Sequence, residues 1–87
     1  MSTGTKRATY LNGRFSEAEA SAKLGKHIHL LADLSQFRKG ANGNVVDFHG
    51  RSDSGFQVII RWNAFNGAEP VYEGFSKSRY HQFISEG

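Results

Sequence analysis

Cationic and aromatic side chains are interleaved from residue 38 to residue 80 at spacings that suit contact with a charged polymer. Arg38 and Lys39 precede a glycine, Arg51 stands in a polar loop, Arg61 falls in an apolar run, and Lys77 and Arg79 follow near the end. Phe65, Tyr72 and Tyr80 alternate with them. Lys and Arg neutralise phosphates while aromatic faces stack on bases, and the two together make single-strand binding surfaces. Most aromatics of a small domain fill its core, and alternation places Trp62 on a buried face. Phe65, among Asn63, Asn66 and Gly67, is the aromatic expected to be exposed. The candidate contact residues are therefore Arg38, Lys39, Arg51, Arg61, Phe65 and Tyr72.

Other chemistries find less support. His27 and His29 share one strand face, a geometry able to bind zinc if His49, His81 or Asp47 supplied a third ligand. Two histidines alternating with core residues are also the ordinary product of a half-buried strand, and structural zinc normally takes four ligands, often thiolates. The loop Gly50-Arg51-Ser52-Asp53-Ser54-Gly55 has glycines and an arginine, but a phosphate loop needs Gly-Lys-Ser/Thr opening a helix, and here a strand follows. No serine sits in a nucleophile elbow and no cysteine exists. Glu17 and Glu19 are accounted for by helix capping. The expectation is a non-enzymatic protein with no metal, no cofactor and no small-molecule substrate.

Composition sets the frame for these residues. The chain has 87 residues, enough for one domain with a single modest core. Aromatics make up 13% of it, a generous supply for that core. The absence of cysteine excludes disulfides, so packing must hold the fold. Eleven Lys and Arg against eight Asp and Glu give a net charge of +3, which permits anionic partners without demanding one. No run approaches the roughly 20 apolar residues of a membrane span, and the N-terminus has no apolar segment behind its basic residues. A cytoplasmic location is the expectation.

The elements that must position the candidate residues can be read from periodicity and turn chemistry. Residues 1 to 8 have nothing to bury and read as a flexible tail ahead of a single domain over 9–87. Thr9 to Leu11 has the character of a short strand. The Asn-Gly pairs at Asn12-Gly13, Asn42-Gly43 and Asn66-Gly67 each read as a turn. Ser16 and Glu19 form a capping box for a helix over Glu17 to Leu24, with Gly25 at its C-terminal cap. Ile28, Leu30, Ala32 and Leu34 then alternate with His27, His29, Leu31 and Asp33 at strand spacing. Asn44 to His49 reads as a second strand with room for a bulge at Val45 and Val46. Phe56, Val58, Ile60 and Trp62 share one face of a third, and Val71 to Phe75 forms a fourth with Pro70 at its start. The last segment has two readings. Tyr80, Phe83 and Ile84 have helical spacing, yet Ser76 to Tyr80 also suits one helical turn before a closing strand over His81 to Ser85. The expected core is Ile28, Leu30, Val58, Ile60 and Trp62, and either Gly40 or Gly43 should adopt positive φ.

In "FRKGANGNVVDF", Lys39-Gly40-x-x-Gly43 leads into Val45 and Val46, and this turn resembles the KOW-type variant of SH3-like small barrels. The order of strands, with a glycine turn before the second and a helical turn before the last, is similar to that architecture over roughly residues 25–85. The chain departs from the pattern where a basic, valine-rich entry to the first strand is missing and a helix precedes it. Tight corners are needed to close a small barrel, and glycines allow them. The resemblance implies a mainly β fold, an SH3-like small barrel of about five short strands with a short N-terminal helix. It also implies nucleic-acid binding. One group of enzymes shares the barrel, the plasmid-borne type II dihydrofolate reductases. Their Val-Gln-Ile-Tyr signature has no match here, Phe56-Gln57-Val58-Ile59 being the nearest.

Two functions follow as expectations. One is binding of RNA or single-stranded DNA through the basic loops. The other is a protein-interaction module or accessory subunit, in which an aromatic groove around Phe65, Tyr72 and Tyr80 meets an acidic protein partner. A barrel alone does not choose between them.

Overall fold

A computed structural model of the chain describes residues 13–34, 37–63 and 69–87. The expected strand at Thr9 to Leu11, the tail, and the turn at Asn66-Gly67 lie outside the described residues. The fold is mainly β. Its elements in chain order are α1 (Glu17–Ala22), β1 (His27–Leu30), β2 (Asn42–Arg51), β3 (Gly55–Trp62), β4 (Val71–Phe75), α2 (Lys77–Phe83) and β5 (Ile84–Glu86). All pairings are antiparallel, in the spatial order β4-β3-β2-β1-β5, so the sheet is a four-strand meander with the last strand returning beside the first. α2 packs on both outer strands, β4 and β5, and gives the single sheet its small barrel-like form. Among the described residues no helix is long and apolar enough to cross a membrane.

Local chemistry explains each boundary. The Ser16 side chain accepts from the Glu19 N–H at 3.1 Å while the Glu19 carboxylate accepts from the Ser16 N–H at 2.9 Å, so the capping box is made in full. Phe15 before the cap and Ala20 one turn later are both core residues, the arrangement of a hydrophobic staple. The helix stops at Ala22, two residues earlier than its periodicity suggests, with Lys23 as cap and Gly25 at φ 84°. β1 also stops early, at Leu30. There the Leu31 N–H donates to Phe83 O at 2.7 Å and the Gly40 N–H to Leu30 O at 2.8 Å, so the chain leaves the sheet to meet α2. Leu31 and Ala32 are exposed as a result.

The expected turn at Asn42-Gly43 is not a turn. Both residues belong to β2, and Gly43 pairs with Ile28 on one side and Trp62 on the other. The corner lies earlier, at Gly40, whose φ of 93° supplies the positive angle. β2 therefore runs ten residues, longer than the expected Asn44 to His49. The bulge falls between Val45 and Asp47, leaving Val45 buried and Val46 outside. At the C-terminus both readings hold in part. Ser76 caps a helix that continues to Phe83, and a strand of three residues, Ile84–Glu86, follows directly and pairs with β1.

The core sits between the inner sheet face and the two helices. Ile28, Leu30, Val58, Ile60 and Trp62 are all buried, as their alternation predicts, together with Phe15, Phe37, Val45, Phe75 and Tyr80. Trp62 stacks on Phe37 with ring centroids 5.0 Å apart and meets Phe75 edge-on at 6.1 Å. Such pairs add to the area that the rings remove from water.

Candidate functional site

Residues directly opposite one another on antiparallel strands share a sheet face. Register carries His27 to Asn44, Asn44 to Arg61, and Arg61 to Tyr72, so these four form one row across β1, β2, β3 and β4. The row lies on the outer face, because its neighbours in sequence, Ile28, Val45, Ile60 and Trp62, all point into the core. Arg61 and His27 are exposed and Tyr72 is 58% exposed. Tyr72 thus offers an aromatic face in water, directly beside a guanidinium.

Arg38 and Lys39 stand at the same end of the sheet. They form the corner between β1 and β2, with the Ala41 N–H donating to Arg38 O at 3.0 Å and the Lys39 N–H to Asp33 Oδ1 at 2.9 Å. Those bonds fix the backbone and leave both side chains exposed. Arg61 and Tyr72 are thus paired, and Arg38 and Lys39 stand at the corner of that same end of the sheet. Arg51 is not at that end. It ends β2, seven residues beyond Asn44 and at the opposite end of the sheet, opposite Gly55. Phe65 lies outside the described residues.

Tyr80, expected in an aromatic groove with Tyr72, is a core residue at 2% exposure. Its ring meets Phe15 edge-on at 5.6 Å and its hydroxyl donates to Glu86 at 2.8 Å. Its place on α2 turns it inward onto Phe15. The aromatic groove of the second expectation is not assembled around it.

The charged groups divide into two sets. Lys23 pairs with Glu86, Lys77 with Glu19 at 2.8 Å, and Arg79 with Glu73 at 3.5 Å, so these cations tie the helices to each other and to the strands. Arg79 also lies over the Phe75 ring at 4.7 Å. The Lys77 hydrogen bond holds the Glu19 carboxyl below its ordinary range, with the Ser16 backbone adding to it. Lys23 and then the Tyr80 hydroxyl do the same for Glu86. Burial, and after it the Glu86 contact, pushes the Tyr80 hydroxyl upward. By contrast Arg14, Arg38, Lys39, Arg51 and Arg61 join no ion pair among the described residues.

Arg14 is the residue that the sequence did not single out. Phe15 forms a bridge to Phe56 on the side of β3 that β4 pairs from Val58 onward, which brings Arg14 against the β2–β3 hairpin. Its neighbour there, Gly55, is 41 residues away in the chain, and no local pattern announces the contact. The histidines are spread over the molecule: His27 and His29 on β1, His49 near the end of β2, and His81 on α2. Among the described residues no three His, Asp or Glu side chains gather closely enough to hold a metal ion.

Comparison of the chain with protein-family models, with curated proteins and with solved structures finds no match.

Proposed function

We propose that this protein is a non-enzymatic binding module whose outer sheet face takes single-stranded RNA or DNA. The observation that carries the reading is the placement of Arg61 directly opposite an exposed Tyr72, with Arg38 and Lys39 at the adjoining corner and none of the three cations in an ion pair among the described residues. A ring that stacks on a base and cations that meet the flanking phosphates are the two parts of a sequence-tolerant single-strand site. The resemblance of the Lys39-Gly40 corner to KOW-type barrels supports the same reading.

Titration of labelled oligonucleotides at low salt tests it. Binding should weaken steeply as salt rises, with a slope of about −0.7 in log K against log salt for each phosphate contacted. Lys39→Gln should flatten that slope by about 0.7 and weaken all sequences alike. An oligonucleotide that fails to bind at high protein concentration would overturn the reading in favour of an acidic protein partner on the same face.

A further inference from the structure

A second set of free cations occupies the far end of the same face. Arg51 stands opposite Gly55, and Arg14 packs against Gly55 from the other edge of β3, where an added Cβ would lie 2.5 Å from the Arg14 Cβ. Gly50 and Gly55, at φ 153° and 93°, let the hairpin fold this tightly. The Arg14 Nη1 donates to Ser54 O at 2.6 Å, which orients the guanidinium. A guanidinium carries five N–H donors, so others stay free for an anion. His49 and Gln57 face each other in the adjoining outward row. The Gln57 amide lies over Gly74, its Oε1 2.5 Å from where a Cβ would stand. Arg14, His49, Ser54, Phe56, Gln57 and Ser76 line a groove of about 380 Å³ with no carboxylate in its wall.

We propose that the groove at Arg14, together with Arg51 on the other side of Gly55, holds a second backbone phosphate of the same single strand that meets Tyr72, so that the binding site runs the length of β3 instead of ending at Arg61. The proposal rests on the nucleic-acid reading above and adds its footprint. Arg61 and Gly55 are six residues apart on β3, which is about 20 Å at roughly 3.4 Å per residue. A stacked strand advances about 3.4 Å per nucleotide, so the two cationic ends are spanned by roughly six nucleotides. That is within the range of small nucleic-acid-binding barrels, roughly 4–16 nucleotides.

The experiment compares oligouridylates and oligothymidylates of three and of ten residues on the full chain. The ten-residue strand should bind about tenfold tighter or more, because its second contact is made at high effective concentration. Arg51→Gln, at an exposed position away from the core, should lower the salt slope for the long strand by about 0.7 and leave the short strand unchanged. Adding Arg14→Gln, with melting checked because its stem packs on Gly55, should remove the advantage of length. Equal affinity for both lengths, or an Arg51→Gln protein with an unchanged slope, would overturn the extended site and leave the reading at Arg61 and Tyr72 intact. Failure of both lengths to bind the native protein would overturn the two together.

Discussion

Gly43 stands directly opposite Trp62 across β2 and β3, and a Cβ on Gly43 would lie 3.1 Å from the indole Cε3 and 2.8 Å from the Arg61 carbonyl oxygen. The glycine is there for space. Its partner at the corner, Gly40, has the opposite requirement, with φ at 93° and, among the described residues, no atom within 4 Å of an added Cβ. Gly43→Ala should therefore destabilise by overpacking, at about 1–3 kcal/mol. Gly40→Ala should cost about 1–2 kcal/mol through backbone strain alone. Gly40→Asn should recover part of that loss, since Asn tolerates the left-handed region, whereas Gly43→Asn should be worse than Gly43→Ala. Denaturant midpoints of the four variants separate the two causes.

Ile60 is fully buried on β3, opposite Val45 and on the same face as Trp62. Truncation to Ala leaves a cavity at the middle of the core and should cost about 2–5 kcal/mol. In a domain of this size that corresponds to a fall in Tm of about 10 °C or more. Arg61→Ala, one residue along on the outer face, should leave Tm nearly unchanged. A larger loss at Arg61 than at Ile60 would show that the inner and outer faces are assigned the wrong way round.

Much of this fold is legible in the sequence because alternation and capping act locally. The phase of β1 and β3, the capping box at Ser16, the fourth strand after Pro70 and the bulge near Val46 all follow from neighbouring residues. What was not legible depends on contacts distant in the chain. Asn42-Gly43 carries the chemistry of a turn, but pairing to β1 and β3 on either side overrides it. Tyr80 reads as exposed until α2 is seen to turn it onto Phe15. Within the candidate site, Arg61 and Tyr72 could each be assigned outward, yet their pairing depends on the register of β3 with β4. Arg14 reaches the hairpin only through the Phe15–Phe56 bridge.

Glu86 makes part of the stability pH-dependent. Lys23 and the Tyr80 hydroxyl both donate to its carboxylate and hold its pKa below the ordinary value of 4.5. A carboxyl whose pKa is lower in the folded state contributes its full stabilisation above the unfolded value and loses it as pH falls through the folded one. Melting should thus be flat across this transition above about pH 4.5 and decline below it. Glu86→Gln should lower stability at neutral pH by about 1 kcal/mol or less, the side chain being partly exposed. It should also reduce the acid decline, and a variant with the same acid profile as the native protein would assign that decline to other groups. The raised Tyr80 hydroxyl has the opposite sign, its contribution falling away as pH rises beyond its ordinary value of 10.0.

In the proposed site Tyr72 would act through its ring, and it contributes little to folding, being the most exposed of the large apolar side chains described. Tyr72→Ala should lower oligonucleotide affinity by about 1–3 kcal/mol, the worth of one stacked base. Tyr72→Phe should keep most of the affinity, since the π-face survives and only the hydroxyl is lost. The salt slope should be the same in both variants, because no phosphate contact is removed. A slope that changes with Tyr72 would mean the residue acts by orienting Arg61 and not by stacking.

Asp47 lies on the path between the two cationic ends. It stands opposite Ile59 on the outer face, exposed, two positions along β3 from Arg61. Its Oδ1 accepts from the Phe48 N–H at 2.8 Å, a bond that an asparagine oxygen can also make. Asp47→Asn therefore removes a charge while keeping the backbone contact. A phosphate passing about 7 Å from the carboxylate meets a repulsion of roughly 0.6 kcal/mol at the dielectric of water. The variant should bind a ten-residue strand about two- to fivefold more tightly at low salt. The gain should shrink toward physiological salt, where the screening length is about 8 Å. A three-residue strand held at Arg61 and Tyr72 alone should gain less. If Asp47→Asn leaves the affinity of the long strand unchanged at every salt concentration, the strand does not cross this part of the sheet, and its route must leave the outer face beside Tyr72.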